Sequence, residues 1–202
     1  TISDSAPGIL AALRVAFGEN GVPWLDDVAA RSLLGPPFHE SLTPLVGADR
    51  FDSVVASYRH HYVDLLGMLE TSLYDGIVGV LETLRDAGLT LAVATSKPES
   101  YASKIVEHLG LPQHFSVVGG DTLDGRRGSK ALVIGDVLHR LGDPDPATVL
   151  MIGDRSHDVH GAAAHGIPCV GALWGYGTVA ELQLAGAAAV CMRPEELLAT
   201  IL

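Results

Sequence analysis

Basic residues are scarce in this sequence. Thirteen lysines and arginines face 24 aspartates and glutamates, a formal net charge of −11. That balance argues against nucleic acid or an anionic membrane surface as the principal partner. It also means that an anionic ligand needs local help, from a cation or a small basic cluster. Cysteine is scarcer still. Cys169 and Cys191 both lie in apolar stretches, with neither a disulfide framework nor zinc spacing, so they read as buried free thiols in a reducing cytoplasm. No apolar run reaches the length of a membrane span, and no basic segment followed by an apolar core opens the chain. A soluble protein with no membrane partner and no signal peptide is therefore expected. What is plentiful is hydrophobic character, 48% over 202 residues, enough for one large domain or one domain carrying a smaller insert.

The chain has two textures. From residue 76 onward, short β-rich runs alternate with amphipathic stretches that end in glycine, the usual residue at a helix C-terminus. The runs are 90–95, 115–118, 148–152, 167–172 and 188–192. Continuous apolar strands alternating with helices indicate an α/β, Rossmann-like core with a parallel sheet covered on both faces. Residues 9–75 carry helical spacing and no convincing strand. We therefore expect a core built from 1–8 and 76–202 and a small helical domain, 9–75, inserted into it. Within the core, ligands belong at the carboxyl ends of the strands.

The loops after those strands gather hydroxyls (Thr95, Ser96), basic groups (Arg126, Arg127, Lys130) and carboxylates (Asp154, Asp158) on one edge. Hydroxyls, helix N-termini and a lysine suit a phosphate; carboxylates beside them suit Mg²⁺, a hard cation that prefers oxygen. Each has a structural alternative. Ser96-Lys97-Pro98-Glu99 fits a capping box, so Ser96 either starts a helix or serves the ligand. Asp158 lies in a first helical turn, where negative charge is favourable anyway. Asp154 is harder to dismiss, because it follows a strand directly, after a glycine that permits close approach. Lys130 follows Ser129, the expected N-cap, and so puts positive charge where a helix disfavours it; functional sites tolerate such misplacements. Arginines in a glycine-flanked loop, as Arg126 and Arg127 are, read as solvated. His157 and His160 have a metal-compatible spacing but no third ligand of matching type, while the neighbours His60 and His61 are expected on different helix faces.

Taken in order, "TISDSAPGI" with a helical insert after it, "LAVATSKP", "GRRGSKALVI" and "VLMIGDRSHDVHGAAAHGIPCVGALWGYGT" resemble the haloacid dehalogenase-like hydrolases. The likeness runs over essentially the whole chain and is nearest to the phosphoglycolate phosphatase-like group, which carries a small helical cap. It implies a two-step phosphoryl transfer with Mg²⁺ as cofactor and a small phosphorylated metabolite as substrate. Thr95 then hydrogen-bonds the phosphoryl oxygens, with Ser96 beside it, and Lys130 stabilises nucleophile and phosphate. Asp154 is a direct metal ligand. Asp158 is the supporting carboxylate, binding metal through water or orienting Lys130. Dehalogenation needs no metal-binding carboxylate at this position, so "GDRSHD" favours phosphate esters.

The first motif of such proteins is Asp-x-Asp-Gly-Thr, ending a strand of its own, and Thr1 matches its threonine. The nucleophile and general acid therefore fall upstream of Thr1, and we expect a preceding strand that carries them. The alternatives are a 5'-nucleotidase-like or phosphomutase-like enzyme, or a non-catalytic phosphometabolite-binding relative. Substrate choice is expected from the cap, with Gly35-Pro36-Pro37-Phe38-His39, Arg14 and Arg59 as candidates. His39 either faces the leaving group or sits in an ordinary interhelical turn. Trp174-Gly175-Tyr176-Gly177 is either one wall of the pocket or surface packing. A monomer or homodimer is expected.

Overall fold

A computed structural model describes residues 1–35 and 38–202. Pro36 and Pro37, in the proline-rich turn proposed for the cap, lie outside the described residues. The chain divides into two compact units, Ser3–Ser72 and Thr1–Ile2 with Leu73–Leu202. The crossings thus fall earlier than the expected 8/9 and 75/76. The reason is local: residues 3–8 already build the helical unit.

In that unit a short strand β1 (Ser3–Asp4) leads into α1 (Ala6–Glu19). Ser5 is the N-cap residue with Pro7 in the first turn, but the capping bond comes from Asp4, whose Oδ1 accepts Ala6 N at 2.9 Å. Gly8 permits a close crossing, since a Cβ there would lie 2.2 Å from Gly67 O. Short helices α2 (Asp27–Arg31), α3 (Phe38–Ser41) and α4 (Thr43–Val46) precede α5 (Ala48–Arg59). Leu13, Ala16 and Phe17 of α1 are fully buried with Leu42, Val46 and Val54, and Trp24 meets the Phe17 ring edge-on at 5.4 Å. After α5 the turn widens to π-geometry over His60–Asp64, which brings the rings of His60 and His61 within 5.3 Å although they are sequence neighbours. The segment 9–75 also holds a strand, β2 (Ser72–Leu73), two residues long and too short to show as alternation.

The larger unit runs α6 (Ile77–Asp86), β3 (Ala92–Pro98), α7 (Glu99–His108), β4 (Val117–Asp121), α8 (Lys130–Arg140), β5 (Met151–Gly153), α9 (Ser156–Ala163), β6 (Cys169–Ala172), α10 (Val179–Leu184), β7 (Ala189–Cys191) and α11 (Glu196–Ile201). All five strands are parallel, in two ladders ordered β3-β4 and β5-β6-β7. Helices cover both faces, as alternation along β6 shows. Cys169 packs with Ile134, Val159 and Leu182 on one side, while Val170 packs with Val80, Leu84 and Leu197 on the other. Helix α8 packs on β3, β4 and α9, and α9 on β5 and β6, so these two helices couple the ladders.

Strand limits differ from the expected ones where long-range pairing overrides local pattern. β3 continues to Pro98, which pairs with Asp121 after a register shift, and β4 runs through Gly119 and Gly120. Glycine is a poor strand former. It is required here because a Cβ on Gly119 would lie 2.2 Å from Val137 Cγ2, and one on Gly120 2.4 Å from Lys97 O. Thr148, expected to open β5, closes a 3₁₀ turn, Pro146–Thr148. No helix among the described residues is long and apolar enough to cross a membrane.

Candidate active site

Strand β5 ends at Gly153 and turns directly into Asp154, which is 6% exposed. A buried carboxylate must be hydrogen-bonded, and this one is. Its Oδ1 accepts the Thr1 hydroxyl at 2.5 Å and lies 3.0 Å from the Thr1 nitrogen; its Oδ2 accepts Tyr176 N at 3.0 Å. Burial pushes the carboxyl up, while hydrogen bonds from the Thr1 hydroxyl and the Tyr176 amide pull it down. Thr1 is further tied by Trp174, whose indole donates to Thr1 O at 2.8 Å.

The neighbouring carboxylate has a different task. Asp158 stands in the first turn of α9 and is also 6% exposed. Its Oδ2 accepts Asp154 N and Arg155 N, both at 3.1 Å, and its Oδ1 meets Lys130 Nζ at 2.7 Å. Gly153 makes room for it, since a Cβ there would lie 2.2 Å from Asp158 Cβ. Lys130 opens α8 after the N-cap Ser129, and its ammonium also donates to Ala94 O at 3.0 Å. The cation at a helix N-terminus is thus offset by Asp158 and by a strand carbonyl. Gly161 of α9 admits the lysine stem, because a Cβ there would lie 2.6 Å from Lys130 Cγ. Asp154, Asp158 and Lys130 therefore form one connected group at the strand ends, reaching β3 one residue before Thr95.

A family model for haloacid dehalogenase-like hydrolases matches residues 1–172. The chain belongs to this family. Among its relatives, the Mycobacterium tuberculosis protein named tyrosine-protein kinase PtkA is 45% identical over 177 residues, 88% of this chain. The chain spans only 60% of the length of that mycobacterial relative. A 5'-nucleotidase of Pseudomonas aeruginosa is 35% identical, over 91% of this chain and 83% of its own length. A phosphoglycolate phosphatase of Xanthomonas campestris is 33% identical, over 87% of this chain and 80% of its own. Among solved structures, a haloacid dehalogenase-like hydrolase of Streptococcus pneumoniae superimposes with a TM-score of 0.93 at 30% identity, covering 100% of this chain and 94% of that one.

Within this haloacid dehalogenase-like frame, Thr95 and Ser96 lie on β3, and Thr95 Oγ1 accepts Lys97 N at 3.2 Å. Ser96 does not start a helix. α7 begins at Glu99 with Pro98 as N-cap, so the capping-box pattern is unused and Ser96 is exposed. Arg127 departs from the solvated expectation. It bonds Glu99 at 3.0 Å, Asp136 at 3.3 Å and Gly120 O at 2.9 Å, and Arg140 joins the same two carboxylates. Arg126 is exposed and pairs with Asp124 at 2.6 Å. His157 and His160 are both exposed, and no group of three metal-binding side chains occurs among the described residues. Arg14 lies on α1, His39 on α3 and Arg59 at the end of α5; all three are exposed residues of the helical unit.

The segment after β6, Trp174-Gly175-Tyr176-Gly177, comes up against Asp154 itself, a contact that sequence reasoning did not identify. Gly175 and Gly177 let this segment wrap Asp154. A Cβ on Gly175 would lie 2.3 Å from Asp154 Cβ, and one on Gly177 2.0 Å from Asp154 O. The only signal was the glycine spacing itself. Glu181 was missed too. Its Oε1 accepts Ser156 N at 2.8 Å and Arg155 Nε at 2.9 Å.

Proposed function

We propose that the chain is the core and cap of a Mg²⁺-dependent hydrolase of small phosphomonoesters, phosphoglycolate phosphatase-like in kind. The observation that carries this reading is the connected group Asp154, Asp158 and Lys130 at the ends of parallel strands. Its donor set fits a magnesium ion. Asp158 is engaged by Lys130 and two backbone amides, which suits a supporting carboxylate, and Asp154, directly after β5, is the direct ligand in this reading. One carboxylate is enough, because Mg²⁺ keeps several waters and shares its remaining positions with substrate phosphate. When bound, the ion screens the mutual repulsion of carboxylate and phosphate.

The protein's own residues do the rest. Thr95 and Ser96 offer hydroxyl donors to the phosphoryl oxygens. Lys130 places its ammonium beside them, and Asp158 holds that ammonium in position. In the reaction proposed, an aspartate attacks phosphorus as the leaving oxygen departs. A second aspartate protonates the leaving oxygen and then takes a proton from the hydrolytic water. The cap residues Arg14, His39 and Arg59 select the rest of the substrate. Two buried free thiols suit a reducing, cytoplasmic setting.

The test is phosphate release from a panel of phosphoglycolate, nucleoside monophosphates and sugar phosphates with the full-length protein. Asp154→Ala should abolish Mg²⁺-dependent turnover; full activity of that variant under chelation would refute the metal assignment. A second reading rests on the 45% identity to a protein named a tyrosine kinase. There the same group would hold the phosphoryl during transfer to a tyrosine hydroxyl. Label passing from ATP to tyrosine, with no release from the panel, would favour it. Substrate binding without either reaction would leave a phosphometabolite-binding relative.

A further inference from the structure

Glu181 has a local task that it does not perform alone. Thr178-Val179-Ala180-Glu181 carries capping-box spacing, and Thr178 Oγ1 accepts Glu181 N at 3.1 Å. The glutamate side chain, however, reaches the start of the neighbouring helix α9, accepting Ser156 N and the Arg155 guanidinium. Three successive amides of the acid loop are therefore held by carboxylates from two directions. Asp158 takes those of residues 154 and 155, and Glu181 takes that of 156. The Arg155–Glu181 pair is well covered, with side-chain exposures of 21% and 23%. Glu181 also belongs to the segment after β6, the one whose Gly175 and Gly177 press on Asp154 and whose Tyr176 amide holds Asp154 Oδ2.

We propose that Glu181 is a positioning residue for the cation site. By tying Arg155 and Ser156 to the start of α10, it locks together the two loops that aim the Asp154 carboxylate, and so sets divalent-cation affinity. This rests on Asp154 being the metal ligand. Without the Glu181 carboxylate, a covered guanidinium and a helix N-terminal amide lose their shared acceptor. The Tyr176 segment is then free to drift from Asp154. Groups that orient metal ligands from behind typically change affinity by about 10- to 100-fold when removed.

The test is Mn²⁺ titration of the full-length protein without substrate, followed by the electron paramagnetic resonance signal of free Mn²⁺, together with melting curves. Glu181→Ala should weaken Mn²⁺ binding by about 10- to 100-fold. Glu181→Gln keeps an acceptor for Ser156 and loses the charge facing Arg155, so its loss should be smaller but measurable. Wild-type Mn²⁺ affinity in folded Glu181→Ala, whatever its melting temperature, would overturn the proposal. If that variant does not fold, wild-type affinity in Glu181→Gln does the same. Asp154→Asn separates the two layers. It should bind Mn²⁺ least of all, and wild-type binding there would sink the metal assignment itself rather than the role of Glu181 alone.

Discussion

Gly175→Ala is the sharpest probe of how Asp154 is held. The new Cβ would stand 2.3 Å from Asp154 Cβ and 2.4 Å from both Cγ and Oδ2, where ordinary contact begins at 3.4 Å, a shortfall of about 1 Å. The conflict is steric and not torsional, because Gly175 is absent from the positive-φ glycines. Asp154 cannot simply swing away, since both its oxygens are hydrogen-bonded and its backbone amide is held by Asp158. Either the carboxylate or the Tyr176 segment has to move by about the shortfall. Overpacking of this kind costs about 1–3 kcal/mol, which in a chain of this size lowers the melting temperature by roughly 2–12 °C. A displacement of about 1 Å at a reacting centre costs on the order of 100-fold in rate. The assay is kcat and Mg²⁺ half-saturation, with a melting curve on the same preparation. Gly79→Ala is the control. Nothing lies within 4 Å of a Cβ there, on α6, so it should stabilise by about 0.5–1 kcal/mol through helix propensity alone. A Gly175→Ala protein with wild-type melting, turnover and Mg²⁺ dependence would show that this segment does not press on Asp154.

The Lys130–Asp158 pair carries both structure and chemistry. Lys130→Met should lower turnover by orders of magnitude and also destabilise by about 3–5 kcal/mol, because it strands a covered carboxylate. Adding Asp158→Asn should return part of the stability and none of the turnover; wild-type stability in Lys130→Met would refute the pairing. Cys169 should be inert in the native state. Burial first, and the Asp158 charge second, push its thiol up to about 12, and Cys191 is buried as well. Ellman's reagent at pH 8 should thus find no rapidly reacting thiol until denaturant is added, and one fast equivalent in the folded protein would contradict this.

The parts of the site legible in the sequence are those where a local rule is broken in view. An acid directly after an apolar strand and a lysine at a helix N-terminus are both visible without partners, and the partners explain them. Asp154 is met by Thr1 and Tyr176, and Lys130 by Asp158 and Ala94 O. What stayed hidden are residues that obey a local rule and also serve a distant one. Ser96-Lys97-Pro98-Glu99 reads as a helix start, but Pro98 pairs with Asp121 and keeps the segment in the strand. Thr178-Val179-Ala180-Glu181 reads as a cap, and its glutamate serves a helix that begins 25 residues earlier. Arg127 reads as a solvated loop residue because Glu99 and Asp136 come beside it only through the packing of α7 and α8 on β4. Gly119, Gly120, Gly175 and Gly177 look like loop breakers, and each is glycine because another part of the chain passes where its Cβ would stand. A broken rule advertises a site, because only a compensating partner makes it tolerable. A rule that is kept hides its second use, and for that reason the groups behind Asp154 emerged only from the folded chain.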